Sequence, residues 1–229
     1  MNKSNEKQAL SQLGRLPFFD RLSPEALQEV IGIGQFVQLG RYEFIYQKGM
    51  PSDKLFFLLE GVVKIASLAD EGREIIKRVL YAPNLFGELG LVGEIERQDF
   101  AINISEEASY LILSVDAFKK YINQHLELSM SLVNWMGDRL RKVESRLESM
   151  IFKDARERII DFLKDSAESQ GKKIGYELLI KHCLTQQDIA NITGTSRQTV
   201  TSVLNELKKS NLIHFNRRSI LIRDLGKLV

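Results

Sequence analysis

The sequence predicts an α+β chain: a β-roll or jelly roll, then one long helix, then a small helical region that ends in a hairpin. Three observations carry this prediction. Between Gln35 and Val115 short apolar runs alternate with glycines, as in many short strands joined by turns. From Asp116 onward the apolar spacing lengthens to a helical period. Between Thr185 and Lys209 two helical patterns flank Gly194, each preceded by a capping residue. The 229 residues, 44% of them hydrophobic, suffice for one large or two small cores. The boundaries read from these changes of period are 1–115, 116–151 and 152–229.

The first zone opens with short helices from about Asn5 to Ile33. Ser23-Pro24-Glu25 reads as a helix start, because serine caps, proline fits the first helical position and glutamate favours the positive helix end. The strand runs follow, among them Leu55-Phe56-Phe57-Leu58-Leu59, Val62-Val63-Lys64-Ile65 and Tyr110-Leu111-Ile112-Leu113. Gly40, Gly49, Gly61, Gly72, Gly87, Gly90 and Gly93 punctuate them. A roll, a jelly roll and a barrel all fit this pattern.

In the long helix Leu132, Met136, Leu140, Val143, Leu147 and Met150 repeat near every 3.5 residues, with charged residues beside them. That is a coiled-coil seam, and it predicts a homodimer through Leu132, Trp135, Met136, Leu140, Val143 and Leu147. Packing of this stripe on the chain's own β-domain is the other reading.

Composition excludes several classes. The single cysteine, Cys183, rules out an intrachain disulfide framework and any multi-cysteine metal or cluster site within one chain. Three scattered histidines make no metal centre. No apolar run approaches the ~18–20 residues of a membrane span. The start of the chain is polar and does not read as a signal peptide. A cytoplasmic protein without membrane partners is the expectation. The net charge is only +2, but from Met150 onward 14 basic residues face 9 acidic ones. This local excess fits a nucleic-acid partner, though many ordinary domains differ as much.

The segment from Thr185 to Leu207 is the most specific signal. Thr185 can cap a first helix, with Asp188 completing a capping box. Ala190 is small where a second helix crosses closely, and Gly194 suits a left-handed turn residue. Ser196 can cap the second helix. That helix divides into two faces. Val200, Val203, Leu204 and Leu207 lie on one, and Arg197, Gln198, Thr201, Ser202 and Asn205 on the other. An apolar face for the domain and a polar face for base edges are what a major-groove helix requires. The segment therefore reads as a helix-turn-helix, with Thr185, Gln186, Ser196 and Thr199 also on the side that meets double-stranded DNA. Two short runs, Leu212–Phe215 and Ile220–Arg223, flank a basic turn and read as a wing. Arg217 and Arg218 at its tip either pair with phosphates or are a solvated basic turn.

With these residues in view, the chain resembles the Crp/Fnr family of bacterial transcription regulators, of the cyclic-AMP receptor protein type, over nearly its whole length. Ser196-Arg197-Gln198-Thr199-Val200 matches the family's recognition-helix motif. Gly49–Ile65 resembles its early β-roll strands, and Gly87-Glu88-Leu89-Gly90-Leu91 its phosphate-binding loop. The resemblance implies a cyclic-nucleotide-binding-like β-roll, a dimerisation helix, a winged helix-turn-helix and a partner in RNA polymerase. It gives Arg197 a guanine, for which bidentate pairing is the physical reason. In cyclic-AMP-binding members the residue after that arginine is glutamate, where this chain has Gln198. Gln186 and Ser202 likewise stand where those members carry arginine. A related two-fold operator that keeps the guanine is expected.

The resemblance assigns a possible small effector to Gly87, Glu88, Leu89, Arg97 and Gln98. In it, Glu88 takes a ribose hydroxyl and Arg97 a phosphate. Structural roles for Glu88 and Arg97 are the competing reading. Several departures disfavour cyclic AMP. Gln98 and Asp99 replace small residues, and Asp99 sets a carboxylate near an anion. Val143 and Glu144 replace the polar pair that contacts adenine. Members of the family that carry an iron–sulfur cluster use an N-terminal cysteine cluster, which this chain lacks, and haem members ligate through cysteine or histidine in the β-roll, where residues 35–115 hold neither, so neither cofactor is expected. An effector would act by shifting the hinge near Ser149–Asp154.

The rival function is a cyclic-nucleotide-binding signalling module that acts through a protein partner, which would leave the polar face of the second helix unused. An enzyme is not expected: the sequence has no P-loop, no His–Glu pair at helical spacing and no Gly-x-Ser-x-Gly.

Overall fold

The computed structural model describes residues 3–20 and 22–228. The chain opens with α1 (Lys3–Leu13) and α2 (Pro24–Gly32). Ser23 caps α2 by accepting from the Ala26 amide at 3.2 Å, and Pro24 occupies its first position. Strands β1 (Gln35–Gly40), β2 (Phe44–Tyr46), β3 (Lys54–Glu60), β4 (Val62–Leu68), β5 (Glu74–Tyr81) and β6 (Asn84–Phe86) follow. A short 3₁₀ turn over Glu88–Val92 separates them from β7 (Phe100–Asn103) and β8 (Glu107–Ser114). The helices α3 (Val115–Gln124) and α4 (Leu126–Phe152) are separate, with a break at His125, where the sequence reading had one helix.

These strands form two antiparallel sheets, ordered β1-β8-β3-β6 and β2-β7-β4-β5. The central strand β3 shows how they share a core. Successive side chains of a strand point to opposite faces. Leu55, Phe57 and Leu59 pack with α1, α2 and α3 residues around Phe18, Phe19 and Phe118. Phe56 and Leu58 point the other way, into a cluster with Tyr46, Phe86 and Tyr110. The apolar run of β3 is continuous because both of its faces are buried.

Contacts divide the chain into two compact units. One holds residues up to Lys142 except 72–76; the other holds Gly72–Ile76 and the chain from Val143. In the second unit α5 (Ala155–Gln170) begins with a capping box between Asp154 and Glu157. Then come β9 (Lys172–Ile174), β10 (Glu177–Lys181), α6 (Gln186–Thr193), α7 (Arg197–Lys209), β11 (Ile213–Phe215) and β12 (Ser219–Ile222). The strands form a sheet ordered β11-β12-β10-β9. The β9–β10 hairpin is absent from the sequence reading; its one local signal is Gly175, at φ 62°, in the turn between strands whose lysines and glutamate do not favour β structure.

The long helix corrects the predicted seam. Leu132 is 7% exposed inside the helix–sheet core, and Trp135 and Met136 pack against that core, Trp135 edge-on to Phe18. Leu132 is thus taken up by the chain's own core, and Trp135 and Met136 are partly so. Solvent instead meets Leu126, Met130, Val133, Leu140, Leu147 and Ile151. With Gly137 and Glu144 these positions alternate by four and three residues, a full heptad seam. Leu140, Val143 and Leu147 remain on the exposed side. No described helix is long and apolar enough to cross a membrane.

Candidate nucleic-acid interface and effector pocket

The helix pair is built by local chemistry. Thr185 accepts from the Asp188 amide at 3.1 Å, and the Asp188 carboxylate accepts from the Thr185 amide at 2.8 Å. Gly194 ends α6 in the left-handed conformation, at φ 63° and ψ 41°. Ser196 then accepts from the Thr199 amide at 3.0 Å and starts α7. Val200, Val203, Leu204 and Leu207 are buried under α7, as its apolar spacing predicts.

The opposite face of α7 is open. Arg197, Gln198, Thr201, Ser202 and Asn205 line a shallow concavity of about 590 Å³. Arg197, Gln198, Ser202 and Asn205 are exposed, and Thr201 is half-buried with its hydroxyl 2.6 Å from the Gln186 amide oxygen. Thr185 and Thr199 are engaged in capping, Thr199 meeting the Ser196 hydroxyl at 2.8 Å. In α7 no acidic residue stands in the first turn, and Lys208 and Lys209 close the last. The face offers donors and acceptors at lengths suited to base edges. The wing is a turn held by Asn216, whose side-chain oxygen accepts from the Arg218 and Ser219 amides at 2.9 and 3.0 Å. Arg217 and Arg218 are exposed on it.

In the β-roll, Gly87, Glu88 and Arg97 come together, whereas Leu89 and Gln98 turn outward into solvent. Gly87 sits at φ 79°, and a Cβ there would approach the Lys54 carbonyl to 2.8 Å and the Arg97 guanidinium to 3.1 Å. Arg97 is 2% exposed. Its Nη1 donates to the Gly87 carbonyl at 3.1 Å and to Glu94 at 3.3 Å, while Nη2 donates to the Lys54 carbonyl. Its guanidinium lies 4.6 Å over the centre of the Tyr46 ring. The Tyr46 hydroxyl donates to Asp99 at 3.1 Å, and Lys77 pairs with Asp99 at 2.9 Å. Burial raises the Tyr46 phenol well above its ordinary range, with Asp99 adding to the effect.

Glu88 is 1% exposed and faces two guanidiniums, Arg78 at 3.6 Å and Arg139 of α4 in closer contact. Burial lowers Arg78 to about 10 and Arg139 to about 9, and the like charge of Arg78 adds to the effect on Arg139. Both remain cationic at neutral pH. Sequence reasoning missed Arg78 and Arg139, because neither lies near Glu88 in the chain. The residues that the resemblance assigns to a nucleotide are engaged with each other's surroundings. The arginine assigned to its phosphate is spent on two carbonyls and a carboxylate, and the glutamate assigned to its ribose neutralises two cations. Among the described residues no group of three or more histidine, cysteine, aspartate or glutamate side chains could hold a metal ion.

Comparison with known proteins accords with the helix-turn-helix geometry. Residues 157–229 match the model of the Crp-like helix-turn-helix domain, and residues 36–125 that of the cyclic nucleotide-binding domain. A Mycobacterium tuberculosis protein described as a CRP-like cAMP-activated global transcriptional regulator is 30% identical over 216 residues, which cover 94% of this chain and 96% of that protein. Among solved structures, a CooA mutant from Carboxydothermus hydrogenoformans superposes with a TM-score of 0.74 at 26% identity, over 87% of this chain and 88% of that one. FixK2 from Bradyrhizobium japonicum superposes with a TM-score of 0.76 at 20% identity, over 86% and 96% of the two chains.

Proposed function

The chain belongs to the Crp/Fnr family of sequence-specific, DNA-binding transcription regulators, and from that premise we propose that it acts as a homodimer that reads a two-fold operator without cyclic AMP. The open polar face of α7 carries this reading. Arg197 pairs bidentately with a guanine, and Gln198, Ser202 and Asn205 read the neighbouring bases. Arg217 and Arg218 of the wing contact phosphates and add salt-dependent affinity. The exposed seam of α4 pairs two copies, so that two recognition helices enter successive major grooves about 34 Å apart. The protein works in the cytoplasm, where it meets DNA and RNA polymerase.

The relative from Mycobacterium tuberculosis is described as cAMP-activated. In this chain the occupied state of Arg97 and Glu88 argues against the same ligand. A phosphate would have to displace Glu94 or sit beside it, and like charges in a buried site repel strongly. Any effector of this β-roll is of another chemistry.

Selection of bound sites from a random duplex pool, with purified protein and no added ligand, tests this reading. A palindromic guanine-containing site is expected. No enrichment without ligand, followed by enrichment once cyclic AMP is added, would overturn the effector-independent reading and leave the DNA-binding one standing.

A further inference from the structure

The last carbonyl groups of a helix have no donor within the helix, and they form its negative end. At the end of α6 these groups are met by two arginines from outside the helix-turn-helix. Arg146 of α4 donates from Nη2 to the Ile192 carbonyl at 2.6 Å. Arg158 of α5 donates from Nε to the Thr193 carbonyl at 2.7 Å and from Nη2 to the Gly194 carbonyl at 3.3 Å. The remaining arm of Arg158, Nη1, donates to the Lys153 carbonyl at 2.6 Å. Lys153 is the residue directly after α4. One guanidinium thus ties the α4–α5 junction to the turn between α6 and α7.

Two further features fix the same point. A Cβ on Gly194 would lie 3.0 Å from the sulfur of Met150, so the last turns of α4 lie against the α6–α7 turn. Arg146 is half-buried, and its Nη2 also donates to the Ile76 carbonyl at 2.9 Å. All these residues belong to the second unit. That unit also carries Leu147 and Ile151 of the exposed seam and Arg197 of the DNA face.

We propose that Arg158, assisted by Arg146, is a positioning residue for operator reading: it sets the angle at which α7 leaves the end of α4, and thereby the separation of the two recognition helices in the dimer. The inference rests on the two-fold reading above. Only a planar fork reaches three carbonyls in fixed directions, so lysine keeps the charge and loses the geometry. Arg158 makes no contact with bases in this scheme. Its loss changes which half-site spacing is preferred and leaves the base preference of each half-site unchanged.

The test uses the full-length protein and duplexes that carry the selected half-sites with spacers one base pair shorter, unchanged, and one or two longer. Wild type is expected to prefer one spacer. In Arg158→Lys that preference should fall by about tenfold, the weight of one charge-assisted hydrogen bond. The guanine preference and the slope of affinity against salt should be unchanged. Arg197→Ala should do the reverse, losing the guanine and keeping the spacer. Arg146→Lys, checked by thermal melting, serves if Arg158→Lys does not fold. Full spacer preference in a folded arginine variant overturns the inference. An equal loss on every spacer also overturns it, because that marks a merely structural role. If wild type itself shows a guanine preference but no spacer preference, the two-fold reading falls first and this inference falls with it.

Discussion

The carbonyl oxygen of Gly87 accepts a hydrogen bond from Nη1 of Arg97 at 3.1 Å. The loop that would cradle a phosphate in a nucleotide-binding relative here binds the arginine that would hold that phosphate. Glu94 and the Lys54 carbonyl take the other contacts, and Tyr46 and Phe56 lie against the guanidinium face. Arg97 is thus held on every side by groups of the β-roll itself.

Cyclic AMP should therefore change little. Operator affinity measured with and without it should differ by less than about twofold, since a ligand shifts an equilibrium only by its differential affinity for the two states. Calorimetry should show no saturable heat.

Glu88→Gln should destabilise the protein. It leaves Arg78 and Arg139, both half-buried, without the buried counter-charge that faces them. Breaking such a pair from one side costs about 3 kcal/mol. Denaturant melts should show this as a lower midpoint with an unchanged slope.

The two faces of α4 should separate by mutation. Leu132→Ala opens the core and should cost about 3 kcal/mol of fold stability. Leu140→Arg sits on the exposed seam and should weaken dimerisation by more than about tenfold in sedimentation, with little effect on monomer folding. Glu144→Leu, which places an apolar side chain at a seam position, should tighten the dimer.

Acid should weaken the second unit through His182. Its Nδ1 lies 3.1 Å from the Leu184 carbonyl, its Nε2 is buried without a hydrogen-bond partner, and burial lowers its pKa below 6.5. The unfolded chain therefore takes up the proton first as pH falls. The stability from this residue is present above pH 6.5 and is lost on acidification, by at most about 1.4 kcal/mol per pH unit. Melting temperatures at pH 7.5 and 5.5 should show a smaller difference in His182→Gln than in wild type.

The helix-turn-helix was legible because its determinants are local. Thr185, Asp188, Gly194 and Ser196 act on backbone groups within a few residues, and the apolar face of α7 repeats at helical spacing. The strands were legible from glycine spacing, though their pairing was not, because β1 meets β8 and β3 meets β6 across long stretches of chain. The seam was legible only in part, because α4 is apolar on two faces. Leu128 and Leu132 serve the core while Val133 and Leu140 face outward, and a near-3.5 period can be drawn through either set. Arg78, Arg139, Arg146 and Arg158 were invisible as partners. Nothing in a charged residue's own neighbourhood tells which distant carbonyl or carboxylate it meets.

The most direct test of the account is a base-and-residue cycle on the ligand-free protein. Wild type and Arg197→Ala are titrated with the selected operator and with a version whose contacted guanine pairs are replaced by adenine pairs. Wild type should lose roughly tenfold or more on replacement, as one bidentate contact is worth about 1–3 kcal/mol. Arg197→Ala should bind both duplexes equally and weakly. Equal discrimination by the two proteins would contradict the assignment of Arg197 and, with it, the reading of α7 as the recognition helix.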